Sequence, residues 1–327
     1  MAELRKDIVS GDWIIIAPRR GKRPHELRKN KSKREVFDIK NCPFEDPGSS
    51  GNYPILIYPD RNDWQVQIIK NKFPVLEEHV LGECATEEKS GPYSLIHASG
   101  YHDVVITRDH FKNLSELTKK EAMLLFGIIR DRYLMLSEDN CVGYISIFQN
   151  WGSEAGASIY HPHYQIIALP VIPPDVNHSL LGSAENFKEN KTCVHCKIIE
   201  WEMQKKERVI FENERAIAVA PFFSKEPYET RIFPKKHLSY FENTFSEDFD
   251  DVIEALQNVL KKVKEKLNDP DYNFFIHTAP LKNKDAFGHY HWHIEILPKM
   301  NISAGFELGT GIEINSVDPD EAAMALK

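Results

Sequence analysis

Apolar residues recur at helical spacing in two separate stretches of the chain. Ala122, Leu125, Phe126, Ile129, Tyr133 and Leu136 follow a Thr118 to Glu121 capping box, and Phe249, Val252, Ile253, Leu256, Leu260 and Val263 follow Ser246. Each predicted helix lies among short apolar runs of strand character. Residues 103–107 precede the first, and 144–148 and 166–169 follow it; residues 230–233 precede the second, and 272–276 and 294–297 follow it. The polar residues between these elements repeat as well. Arg108-Asp109-His110 corresponds to Pro234-Lys235-Lys236-His237, His161-Pro162-His163 to His291-Trp292-His293, and Cys42-Pro43-Phe44-Glu45 to Cys193-Val194-His195-Cys196. The same elements in the same order twice predict a tandem duplication of one supersecondary unit, with units at residues 1–175 and 176–327. The Pro-rich 170–174 stretch, continuing through polar residues to Lys191, reads as the linker. The expected class is α+β, an antiparallel or mixed sheet with packed helices.

Residues 160–165, Tyr-His-Pro-His-Tyr-Gln, stand between a small-residue loop and the apolar 166–169 run, so they read as the start of a buried strand. Alternation then puts His161, His163 and Gln165 on one face, directed at one point. One ring can hold a metal or brace the site, another can attack, and a neutral amide can support the resulting charge. Composition narrows the partners. The 327 residues are 42% hydrophobic, enough for a substantial core, and a net charge of −8 argues against a general nucleic-acid binder. The opening residues lack a signal-peptide core and no apolar run suits a bilayer, which predicts a cytoplasmic protein without membrane contact. Five cysteines and a Cys-x-x-Cys pair point to thiolates on metal rather than disulfides, with Cys84 and Cys141 as plain thiols.

In the second unit Cys193, Cys196, His237 and His291 form the donor set of a closed tetrahedral zinc site. The repeat places Cys42, Glu45, His110 and His161 in the same roles in the first unit. A carboxylate for a thiolate makes that set harder and weaker for zinc. Four protein donors leave no open position for water, so both sets are expected to stiffen the fold rather than react.

Together these residues resemble the galactose-1-phosphate uridylyltransferases and their relatives, the nucleotide-transferring branch of the histidine-triad superfamily. The similarity also runs through residues 12–24, Asn71-Lys72-Phe73-Pro74, Phe148-Gln149-Asn150-Trp151-Gly152, Gly156-Ala157-Ser158, His277-Thr278-Ala279-Pro280 and Gly305-Phe306-Glu307. It covers nearly the whole chain in order. The resemblance implies two histidine-triad-like domains and a histidine, His163, that attacks the α-phosphorus of a sugar nucleotide. A covalent nucleotidyl-histidine and free hexose 1-phosphate result, and a second phosphate then takes the nucleotide, giving ping-pong kinetics with UDP-glucose and galactose 1-phosphate. Gln165 would steady the phosphoryl oxygens. Arg20, Arg23, Gly156, Ala157 and Ser158 match phosphate-contacting positions, Asn71 and Asn150 match asparagines near the nucleotide, and Glu307 fits a sugar-hydroxyl acceptor. Zinc and a homodimer, in which a second chain completes the sugar pocket, are also implied.

Three positions depart from the family pattern. Glu45 replaces a cysteine, Tyr164 stands where a glycine is common and is expected to narrow the nucleotide pocket, and Glu295 takes the place equivalent to Gln165. An anion at 295 would repel an attacked phosphate, so one active nucleophile per chain is expected. The second metal set and the 305–311 segment resemble the plant-type ADP-glucose phosphorylases, leaving an adenylyltransferase to phosphate as the alternative. A non-catalytic nucleotide-binding zinc protein is the alternative of a different class.

Overall fold

A computed structural model describes residues 1–22 and 38–327; Arg23 lies outside them. The strands are β1 (Glu3–Lys6), β2 (Trp13–Ile16), β3 (Leu56–Tyr58), β4 (Val66–Lys70), β5 (Glu88–Ser90), β6 (Tyr93–Leu95), β7 (Tyr101–Thr107), β8 (Tyr144–Trp151), β9 (His163–Leu169), β10 (Val209–Glu212), β11 (Ala216–Val219), β12 (Thr230–Pro234), β13 (Tyr272–His277), β14 (His293–Pro298) and β15 (Ile314–Asn315). The helices are α1 (Lys119–Ser137), α2 (Pro174–Asn190), α3 (Val194–Lys205), α4 (Ser246–Lys266), α5 (Gly305–Thr310) and α6 (Pro319–Leu326).

Both amphipathic stretches form helices for the reasons their sequences give. The Thr118 hydroxyl accepts from Glu121 N–H and the Glu121 carboxylate accepts from Thr118 N–H, which satisfies donors that α1 would otherwise leave bare. Helix α4 buries all six apolar residues of its stripe, together with Ala255 and Val259. The two stripes meet one face of a single antiparallel sheet of ten strands, ordered β10-β11-β12-β14-β13-β8-β9-β7-β4-β3. At its centre β8 of the first unit pairs with β13 of the second, bringing Phe148 opposite Phe275 and Asn150 opposite Asn273. A smaller sheet, β1-β2-β15, ties the start of the chain to its end through parallel pairing of β2 with β15.

Three expectations need correction. The 170–191 segment, read from its prolines and polar residues as the linker, is mostly helix: residues 174–190 form α2, which starts at a proline in its first turn and buries Val176 and Leu180. Cys84 and Cys141 are bonded to each other, with a Cα separation of 4.9 Å. Their sequence separation of 57 conceals a contact made when the 71–100 excursion folds back onto the turn after α1. At the same turn Asp139 accepts from Tyr101 Oη at 2.8 Å and lies 2.9 Å from His79 Nε2. Third, Tyr164 does not share a sheet face with His163. It follows His163 by one residue, so strand alternation sends its ring to the opposite face, against Phe126 and Phe274. Among the described residues no helix is long and apolar enough to cross a membrane.

Candidate active site

Strand β9 begins at His163 rather than at residue 160, and that start separates the two histidines. His161, in the turn before the strand, points away toward Cys42, Glu45 and His110, while His163 and Gln165 share the sheet face away from α1. The single meeting point expected of the three side chains is therefore two adjacent ones. His163 is buried, and its Nδ1 donates to the His161 carbonyl at 2.8 Å. That bond fixes the tautomer and leaves Nε2 with a free lone pair. Burial pulls the ring below the ordinary histidine range, which keeps it neutral. Phe44 stands edge-on to it at 5.2 Å between centroids. A neutral, oriented imidazole with one bare nitrogen is what nucleophilic attack requires.

The ring opens on a cavity of about 470 Å³. Asn71, Lys72 and Phe73 line one side, Gly156 and Ser158 another, and Gln165 lies along the same strand as His163. The loop carrying Gly156 is held by side chains from the second unit. Asp271 accepts from Glu154 N–H at 2.9 Å, and Asn273 donates to the Ala155 carbonyl at 2.8 Å. Gly152 is required there: its φ is +84, and a Cβ would lie 2.0 Å from the Asp271 carboxylate. Asn150 supports this loop from below, its carbonyl accepting from Asn273 at 2.8 Å.

Of the residues singled out in sequence, the cavity thus gathers His163, Gln165, Asn71, Gly156 and Ser158. Ala157, Arg20, Asn150 and Glu307 do not line it. Arg20 begins a short turn after β2, and the Glu307 carboxylate caps its own helix by accepting from Ala304 N–H at 3.1 Å. Sequence reasoning missed Asn52, Lys72 and His102. Lys72 brings a cation to the cavity, and Asn52 donates to the Lys70 carbonyl at 2.9 Å. His102 is buried with its Nε2 only 2.8 Å from Gln165 Oε1. The only sequence signal for it was its spacing of two from Val104, which pairs with Gln165.

Both predicted metal sets assemble. In each, the four donor atoms lie within 4.8 Å of one another. His237 Nε2 donates to the Gly288 carbonyl and His291 Nε2 to the Pro234 carbonyl, each at 2.9 Å, so both Nδ1 lone pairs face the thiols. The hydrogen bond between Cys193 and Cys196 pulls the first thiol down and pushes the second up. Cys193 also occupies the residue position that precedes the first turn of α3, where the helix dipole favours a thiolate. In the first unit His161 Nε2 donates to the Thr107 carbonyl at 2.7 Å, and its Nδ1 faces Glu45 at 3.2 Å and Cys42 at 3.6 Å. The donors fit zinc in both sets, with a harder oxygen in the first, and the tautomers of His237, His291 and His161 leave Nδ1 free to bind it.

In the second unit His293 Nδ1 donates to the His291 carbonyl at 3.1 Å, as His163 does to His161, but its Nε2 meets Glu295 at 3.3 Å. Burial pushes Glu295 up, yet Arg231 at 3.0 Å overrides this and holds it well below the carboxylate range.

Residues 66–325 match a domain of unknown function, DUF4921. The chain is 34% identical to an ADP-glucose phosphorylase of Arabidopsis thaliana over 99% of its own length and 92% of that protein's. It is 30% identical to a galactose-1-phosphate uridylyltransferase of Thermotoga maritima, over 100% of this chain and 98% of the relative. A crystal structure of an Arabidopsis thaliana ADP-glucose phosphorylase with bound ADP-glucose superposes with a TM-score of 0.85 at 32% identity, covering 100% of this chain and 98% of that one. Coverage this complete, joined to a neutral buried histidine beside an amide-lined cavity, places the chain in the nucleotidyltransferase family that includes the galactose-1-phosphate uridylyltransferases and the plant ADP-glucose phosphorylase.

Proposed function

We propose that the chain exchanges a nucleotide between a nucleoside diphosphate hexose and a hexose 1-phosphate, with UDP-glucose and galactose 1-phosphate as the substrates. His163 Nε2 attacks the α-phosphorus, the bond from that phosphorus to the bridging oxygen breaks, and hexose 1-phosphate leaves. The Nδ1 proton stays on the ring, donated to the His161 carbonyl, which stabilises the positive charge of the adduct. A phosphate oxygen of the acceptor then attacks the same phosphorus and restores the imidazole. Gln165 donates its amide to the phosphoryl oxygens, Lys72, Gly156 and Ser158 offset their charge, and Asn71 holds the nucleotide. The observation that carries this reading is the bare, neutral Nε2 of His163 at the cavity.

A second reading is an adenylyl transfer from ADP-glucose to inorganic phosphate through the same adduct. The similarity to the Arabidopsis protein, at a TM-score of 0.85, favours it. Intact mass after incubation with UDP-glucose and, separately, ADP-glucose distinguishes the two. A uridylyl adduct supports the first, an adenylyl adduct the second, and no adduct on His163 with either defeats both.

In this reading residues 1–175 carry the chemistry and residues 176–327 the supporting unit. Zinc bound by Cys193, Cys196, His237 and His291, and by Cys42, Glu45, His110 and His161, supplies rigidity and no reacting group. The protein works in the cytoplasm as a homodimer whose second chain completes the sugar end of the pocket.

A further inference from the structure

We infer that His102 is a positioning residue that sets which end of the Gln165 amide faces the reacting phosphate; the inference rests on the nucleotidyl-transfer reading above. A glutamine amide is nearly symmetric in shape and turns about its last bond at little cost. With its NH₂ toward the cavity it stabilises an anionic phosphoryl group, and with its carbonyl there it repels one. Something must therefore select the orientation.

His102 makes that selection through its tautomer. The Val75 backbone N–H donates to His102 Nδ1 at 3.2 Å, so Nδ1 carries no proton and the neutral ring is protonated on Nε2. Nε2–H donates to Gln165 Oε1 at 2.8 Å, which consumes the carbonyl and leaves the NH₂ for the cavity. Asn71 Nδ2 lies 3.0 Å from the same protonated Nε2, so it has no acceptor there, while Asn71 Oδ1 accepts from Phe73 N–H at 2.9 Å. The same tautomer thus turns the amide protons of Gln165 away from the ring, whereas the orientation of Asn71 is set by Phe73 N–H. The Val75 contact comes from the 71–100 excursion, so the backbone there sets a proton position two residues removed from the chemistry.

The second unit shows a different selection. Val104 pairs with Gln165 and Arg231 with Glu295, so Glu229, two residues before Arg231, occupies the place of His102. An acceptor there goes with an arginine, which Glu229 holds at 3.1 Å, and the donor-to-amide relay is absent.

The test measures the rate of the His163 adduct by intact mass at saturating and half-saturating sugar nucleotide. His102→Gln keeps an N–H where Nε2 stood and should retain the rate within about 10-fold, whereas His102→Glu offers only an acceptor, turns the amide round and should lose about 100-fold or more. The loss should fall on the maximal rate, with half-saturation moving less than about 3-fold. In a Gln165→Ala background, His102→Glu should cost less than about 3-fold further, because the group it acts through is gone. Equal losses for His102→Gln and His102→Glu, or a full additional loss in the Gln165→Ala background, would overturn the inference while leaving the adduct chemistry standing. A wild-type chain that forms no adduct would instead defeat the parent reading, and this inference with it.

Discussion

In the first half of the molecule the His163 ring faces a cavity of about 470 Å³ with an uncharged amide beside it. In the second half the corresponding His293 ring faces a smaller one, of about 360 Å³, in which Arg231, Glu229, Glu295 and His277 are already paired with one another or stacked on the ring. The backbone hydrogen bond that orients the ring is the same in both halves, as is the four-donor cluster behind it. What differs is whether charge is left unspent. A site can lose its reaction while keeping its scaffold once a buried carboxylate and guanidinium satisfy each other where a substrate phosphate would otherwise enter.

The sharpest challenge to this contrast is a pair of matched substitutions. His163→Gly should lower transfer by at least about 10³-fold and abolish the adduct, with partial recovery on adding imidazole, whereas His293→Gly should leave the adduct intact. An adduct that moves to or persists on His293 would break the comparison. The next effect concerns the residue two places on. Gln165→Glu, which copies the second half, should cost about 10² to 10³-fold in transfer rate, and Glu295→Gln should confer no adduct on His293 while lowering stability by about 2 to 4 kcal/mol through the partner it strands. Chemical denaturation and intact mass read the two.

The metal clusters should differ in degree rather than in kind. Titration with a chromophoric chelator should remove the ion from the Glu45-containing set before the one held by two thiolates, and Cys196→Ser should lower the melting temperature by roughly 5 to 15 °C. The smallest expected difference is one of pH. Phe148 pairs with Gln165 and Phe275 with Glu295, so His277 occupies the place of Asn150. Burial takes His277 down to about 4, so the folded chain binds this proton more weakly than the unfolded chain, and stability is lost as pH falls from about 6.5 towards about 4. His277→Asn should remove that loss, leaving the variant ahead of wild type by up to roughly 3 kcal/mol at pH 4 relative to pH 7.

The elements that write themselves into local spacing were legible in the chain. The stripes of α1 and α4, the donor clusters and the pairing of His163 with Gln165 rest on periods of 3.6 and 2 and on short motif spacing. The β8–β13 seam, the Cys84–Cys141 bond and the role of His102 depend on register between distant strands, and no local pattern carries that information. Tyr164 follows His163 in the chain but, as alternation requires, packs on the opposite face against Phe126, so its bulk bears on the core and not on the cavity. Arg20 and Glu307 follow the family's motifs but do not line the cavity, because their position relative to it is set by tertiary packing that no local motif encodes.

Strand β8 is hydrogen-bonded on one edge to β9 and on the other to β13. Cutting the chain between its repeats would therefore strip a central strand of half its partners and bare a row of amide and carbonyl groups along Tyr272–Trp151 and their neighbours. The half that carries His163 cannot be trimmed away from the other without creating a sticky ribbon that seeks other chains, because the half that carries His293 closes that ribbon.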